Sequence, residues 1–126
     1  MESFLQEEVN KFMKEKNKSN ISASDYQKQA KETAIFPPAT ALEYLTLGLV
    51  GEAGEIANKV KKIIRDKLPP ENWKHDLPSE IGDVLWYCAV LADYLDYDLG
   101  KIMENNLEKL HSRKKRGVLG GSGDNR

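Results

Sequence analysis

The chain has 126 residues, enough for one domain but not two. Its 19 basic and 20 acidic residues leave a net charge of −1, which removes any general electrostatic reason to expect nucleic acid or an anionic membrane as partner. Hydrophobic content of 40% allows only a modest core. A single cysteine, Cys88, excludes an intrachain disulfide and reads as a small core residue. The first residues lack the basic and apolar regions of a signal peptide, and no apolar run is long enough to span a bilayer, so a cytoplasmic location is expected.

Helical periodicity runs through the chain and strand alternation is nearly absent. Residues 2–16 place Phe4, Leu5, Val9, Phe12 and Met13 on one side, a short amphipathic helix that ends in the polar break Asn17–Asn20. A second helix is expected from Ser24, whose spacing to Gln27 fits a capping box, to about Phe36 before Pro37-Pro38. Thr40 and Glu43 repeat the capping pattern and open a long helix to about Asp66. Lys67–Leu77 is a loop with Pro69-Pro70, and Pro78 suits the first turn of the next helix, which runs to Tyr94 or Leu95. Asp98 is the expected N-cap of a last helix ending near Lys114 or Lys115. Gly117–Arg126 contains four glycines and reads as a flexible tail. The expected architecture is all-α, a four-helix bundle over 21–116 with an N-terminal extension over 1–20 and a tail over 117–126.

Two acidic pairs stand out. Glu52 and Glu55 lie three residues apart, as do Glu80 and Asp83, and residues so spaced share a helix face. Glu52 borders the apolar stripe of Leu42, Leu45, Leu49, Ala53, Ile56, Val60 and Ile63, with Glu55 just beyond it. Glu80 borders the stripe of Ile81, Val84, Cys88, Leu91 and Leu95, with Asp83, Tyr87 and Tyr94 on one flank. In the last helix Asn106, Lys109 and Arg113 align with Ile102 and Leu110. Polar groups at the edge of three core faces suit a site better than idle surface. Four carboxylates in a small volume resist ionisation unless cations join them, and hard divalent cations with oxygen ligands meet that need. Magnesium is expected, with manganese as a substitute, and magnesium suggests phosphate chemistry. Gly48, Gly51 and Gly54 inside a helix call for a compensating gain, either close helix approach or room for a ligand.

Each motif also has a plainer reading. With 31% charged residues, acidic pairs arise by chance, as Asp93 and Asp96 illustrate. Glu55 and Lys59 could be an i,i+4 ion pair. Trp86 projects off the main stripe and suits a subunit interface better than a base contact. Tyr26 and Gln27 fit either the site or cap and packing. A di-iron oxidase needs two inward Glu-x-x-His pairs, whereas only Glu108-x-x-His111 exists, pointing away from the stripe.

The run Gly48-Leu-Val-Gly-Glu-Ala-Gly-Glu-Ile, then Glu80-Ile-Gly-Asp-Val-Leu-Trp-Tyr, then Asn106-Leu-Glu-Lys109-Leu-x-x-Arg113 resembles the all-α nucleoside triphosphate pyrophosphohydrolases, in particular the compact MazG-like group. The ending from Arg116 resembles small phage-type members. The resemblance covers about residues 24–117 and leaves the N-terminal helix outside. It implies magnesium-dependent hydrolysis of a nucleoside triphosphate to monophosphate and pyrophosphate. Glu52, Glu55, Glu80 and Asp83 would hold the metal, while Lys59, Asn106, Lys109 and Arg113 would surround the substrate. One carboxylate, with Glu55 preferred, would orient or deprotonate water, and Tyr87 or Trp86 could stack on the base. The resemblance also implies a homodimer or homotetramer, for which Leu47, Trp86 and Val90 off the main stripes supply apolar area. The alternative is a non-catalytic nucleotide-binding or regulatory module. The basic run 113–116 and the tail could fold over a bound triphosphate.

Overall fold

The computed structural model describes residues 3–126 and is helical among them, with no strand. Helix α1 spans Phe4–Lys16 and is capped by Ser3, whose Oγ accepts from the Gln6 amide at 3.2 Å. It buries none of its residues, so its apolar side is left facing solvent.

Helix α2 spans Ala23–Glu32. Its N-cap is Ser22, accepting from the Asp25 amide, rather than the expected Ser24. The Ser24 hydroxyl instead donates to Asp98 Oδ1 at 2.7 Å. Gln27 does not close a capping box either. Its amide nitrogen donates to Ala89 O at 3.1 Å and Tyr97 O at 2.8 Å, and its oxygen accepts from the Leu99 amide at 3.0 Å. The helix stops short of Phe36, because Thr33 turns its hydroxyl back onto Ala30 O at 2.8 Å and ends the ladder.

A single 3₁₀ turn at Pro38–Thr40 leads into α3, Ala41–Asp66. Thr40 takes the N-cap position, but its side chain makes no capping bond, so the second expected capping box is also absent. The preceding prolines set the entry instead, with the Thr40 amide bonded to Pro37 O. Lys67 closes α3 in the left-handed region, φ 52°. After a 3₁₀ turn at Pro70–Asn72, α4 spans Asp76–Tyr94 and carries Pro78 in its first turn. Asp98 caps α5, Leu99–Lys115, through its carboxylate and the Lys101 amide, as the sequence suggested.

Helix α4 is the hub, packing on α2, α3 and α5, while α2 also rests on α5. Cross-pairs Gly48–Tyr87 and Lys59–Glu80 show that α3 and α4 run antiparallel. The core is small: Ala30, Leu45, Ala89, Val90 and Leu99, flanked by Tyr26, Phe36, Trp86, Tyr87 and Leu91. It covers only the N-terminal half of α3 and the C-terminal half of α4. Leu47, Val50 and Ile64 on α3, Leu85 on α4, and Met103 and Leu107 on α5 stay exposed. Among the described residues no helix is long and apolar enough to cross a membrane.

Candidate active site

The antiparallel α3–α4 pair decides the site. Two helices in register, each with acids three apart at the edge of its core face, must bring those acids together. Glu52 of α3 and Glu80 and Asp83 of α4 each offer a carboxylate oxygen within 4.8 Å of the others. Two of the three are half-buried and Asp83 is exposed, so the cluster opens to solvent on one side.

Like charges so close oppose ionisation. The Glu52 carboxyl is pushed above its ordinary range by partial desolvation first, then by the charges of Asp83, Glu80 and Glu55, and by a hydrogen bond to Glu80. The donor chemistry also fits: three carboxylates and open solvent suit an oxygen-coordinated ion that keeps part of its water shell.

Glu55 is exposed and lies outside the trio, though its charge is felt at Glu52 and Lys59. Of the four expected ligands, the structure thus brings three together. Lys59 does not pair with Glu55. Its ammonium reaches across to Glu80 Oε1 at 2.9 Å, and that hydrogen bond is the main cause holding the ammonium above its usual range. Lys59 therefore acts as a built-in counter-charge on one edge of the cluster.

Tyr87 stands beside the acids. Partial burial and the proximity of Tyr44, Glu52 and Asp83 raise its phenol. A Cβ on Gly48 would meet the Tyr87 ring at 2.1 Å, so one of the three helical glycines is explained by close approach. Gly51 and Gly54 face open space within the chain. Trp86 sits at 4.9 Å from Tyr87, edge to face, but its indole N–H donates to Thr33 Oγ1 at 2.8 Å and its ring packs on the core. That engagement suits packing between α2 and α4 rather than a base contact. Tyr26 of α2, which the sequence left between site and packing, has its phenol raised by burial first and then by Asp83. It is a neighbour of the acidic cluster.

The α5 residues behave differently. Asn106 and Lys109 are exposed and Arg113 is buried. Lys109 and Arg113 both engage the C-terminal segment, at Asp124. That segment, expected to be a flexible tail, forms a series of turns held against α5. A cleft of about 930 Å³ along α1 and His75 is lined by none of the expected site residues.

The profile of the MazG nucleotide pyrophosphohydrolase domain matches residues 40–118, which contain the trio, Glu55, Lys59 and all three α5 positions. A protein described as "Gene 37 protein" of Mycobacterium phage L5 is 56% identical over 110 residues, covering 80% of this chain and 96% of that protein. No solved structure matches the chain.

Proposed function

This chain belongs to the MazG nucleotide pyrophosphohydrolase family, and on that footing we propose that it hydrolyses nucleoside triphosphates to monophosphate and pyrophosphate with magnesium. The observation that carries the reading is the convergence of Glu52, Glu80 and Asp83 from two helices to within 4.8 Å. Bound there, magnesium supplies neutralisation of phosphate charge and acidification of water, and manganese can replace it.

The chain's own residues do the rest. Glu52, Glu80 and Asp83 hold the ion. Glu55, exposed beside the trio in sequence, accepts the proton of the attacking water as the α–β phosphoanhydride is cleaved. Among the described residues, Lys59 is the one cation paired with the cluster. With Glu80 committed to the ion, the Lys59 ammonium would be available to meet phosphate charge. Tyr87 offers its ring for base stacking beside the acids. Asn106, Lys109 and Arg113 of α5 supply further substrate contacts, drawn from the same chain or from a second copy.

A second copy is part of the proposal. Among the described residues Leu45 is the only large side chain fully buried in the single chain, while exposed leucines, valines and isoleucines line α3, α4 and α5. Covering them is a strong drive to a homodimer or homotetramer.

The test is a panel of ribo- and deoxyribonucleoside triphosphates, each with magnesium or with chelator, read for pyrophosphate and monophosphate. At least one triphosphate should yield the two products in equal amounts, only with magnesium. Release of orthophosphate in place of pyrophosphate, or binding of triphosphates without turnover, would refute the reading and favour a non-catalytic module.

A further inference from the structure

Asp124 sits on two cations of α5. Its Oδ1 lies 3.4 Å from Lys109 Nζ and 3.5 Å from Arg113 Nη2. The same Arg113 nitrogen donates to Asp124 O at 2.8 Å and to Gly123 O at 3.4 Å. Gly121 and Gly123, with φ of 90° and 86°, give the segment the left-handed turns that carry it back toward α5. Arg126 ties the turns together by donating to the carbonyls of Val118, Leu119, Gly120 and Gly123. Arg116 in turn donates to Arg126 O at 2.9 Å. The tail is thus a small closed loop clasped by its own arginine.

What it covers is unusual. Arg113 is only 4% exposed, and its buried Nε has no hydrogen-bond partner. An unpaired donor on a buried guanidinium is costly, and the planar fork is suited to two-point contact with an oxyanion. Asp124 satisfies that demand poorly. Its side chain is 86% exposed, and both of its charged contacts are long. The Lys109–Asp124 pair, exposed at both ends, is of a kind that is weak and exchanges readily, and Asp124 meets the buried Arg113 from solvent at 3.5 Å. A phosphate oxyanion has the charge and the oxygens to use Nε, Nη2 and the Lys109 ammonium together. While the tail lies in place it cannot reach Arg113.

We propose that Asp124 is a resident carboxylate standing in for phosphate on Lys109 and Arg113, and that the tail opens when an oligophosphate takes its place. The proposal rests on the hydrolase reading only in treating the oligophosphate as part of the substrate. It makes the tail a gate over the basic pair, neither a free end nor a fixed strut.

Calorimetric titration of inorganic tripolyphosphate into the metal-free full-length chain tests it. Asp124→Asn should tighten binding by about twofold to fivefold, the size of a weak ion pair released. A Lys109→Met background should abolish that gain. In the wild type, tripolyphosphate should speed amide exchange across residues 118–126. Binding that is unchanged or weaker in Asp124→Asn, or a tail that stays protected when tripolyphosphate is bound, overturns the proposal. Triphosphate hydrolysis by the wild type is scored separately. An active chain without tightening refutes the gate alone, and tightening in an inactive chain refutes the hydrolase reading alone.

Discussion

Replacing Asp83 with Asn or Glu52 with Gln should cut magnesium-dependent pyrophosphate release by at least about 100-fold, the scale of removing one charge-stabilising group from an active site. Each change keeps the side chain's shape and deletes one negative charge from a trio within 4.8 Å. Loss of activity must therefore come from lost ion binding, provided the fold survives. Melting in metal-free buffer checks that condition and adds a sign. Glu52 has its carboxyl raised in the folded chain, chiefly by desolvation and then by Asp83, Glu80 and Glu55. A raised carboxyl contributes stability below its unfolded value, and that contribution fades as pH rises through the folded one. At neutral pH the ionised Glu52 is thus a liability without metal, and Glu52→Gln should melt no lower than the wild type. A variant that is inactive yet as stable as the wild type, or more so, is the expected pair of results. Full activity in both variants would remove the catalytic metal site.

Gln27→Ala should destabilise the fold by about 2–4 kcal/mol, the cost of orphaning several buried polar partners at once. Gln27 is 7% exposed and makes three hydrogen bonds from one amide. It joins α2 to α4 through Ala89, to the α4–α5 turn through Tyr97, and to the start of α5 through Leu99. Removing it leaves the buried Leu99 amide without its acceptor and takes a donor from the buried Ala89 carbonyl and the part-buried Tyr97 carbonyl. Gln27→Glu keeps the oxygen but loses the donor, so it should also destabilise, and more strongly at neutral pH than in acid. Urea unfolding measures both. A loss under half a kcal/mol for Gln27→Ala would show that water repairs the junction and that Gln27 does not hold the three helices together.

The acidic trio was legible because two simple periods coincide. Acids three apart share a face, and two such helices joined by a short loop pair antiparallel, which aligns residues around Glu52 with residues around Asp83. The helices themselves followed from apolar spacing, and the cap at Asp98 from its residue type. Gln27 was not legible in this way. Its spacing from Ser24 imitates a capping box, while its partners lie 62 to 72 residues away. The Lys59–Glu80 pair was hidden for the same reason, because a nearer acid, Glu55, offered a local partner at the usual helical spacing. The tail misled through composition. Four glycines signal freedom, but here three of them, Gly117, Gly121 and Gly123, adopt positive φ and make the turns that let Arg126 close a loop. No local rule announces that a terminal arginine will bind the carbonyls of its own segment. The α3 stripe was in phase at Leu45, but α4 buries Ala89, Val90 and Ala92, off its expected stripe, while Ile81 and Leu95 of that stripe stay exposed; Val90, expected to face a second copy, is a core residue. Periodicity shows which face wants cover without showing what covers it.

Everything in the proposed chemistry descends from carboxylates of α3 and α4 holding a divalent ion. The most direct measurement is a manganese titration, followed by electron paramagnetic resonance, with and without a triphosphate whose α–β bridge resists hydrolysis. The wild type should bind manganese saturably, more tightly with the nucleotide present, and a Glu52→Gln/Glu80→Gln/Asp83→Asn chain of unchanged helical content should lose that binding. Equal manganese binding by the two chains, or none by the wild type under either condition, would contradict it.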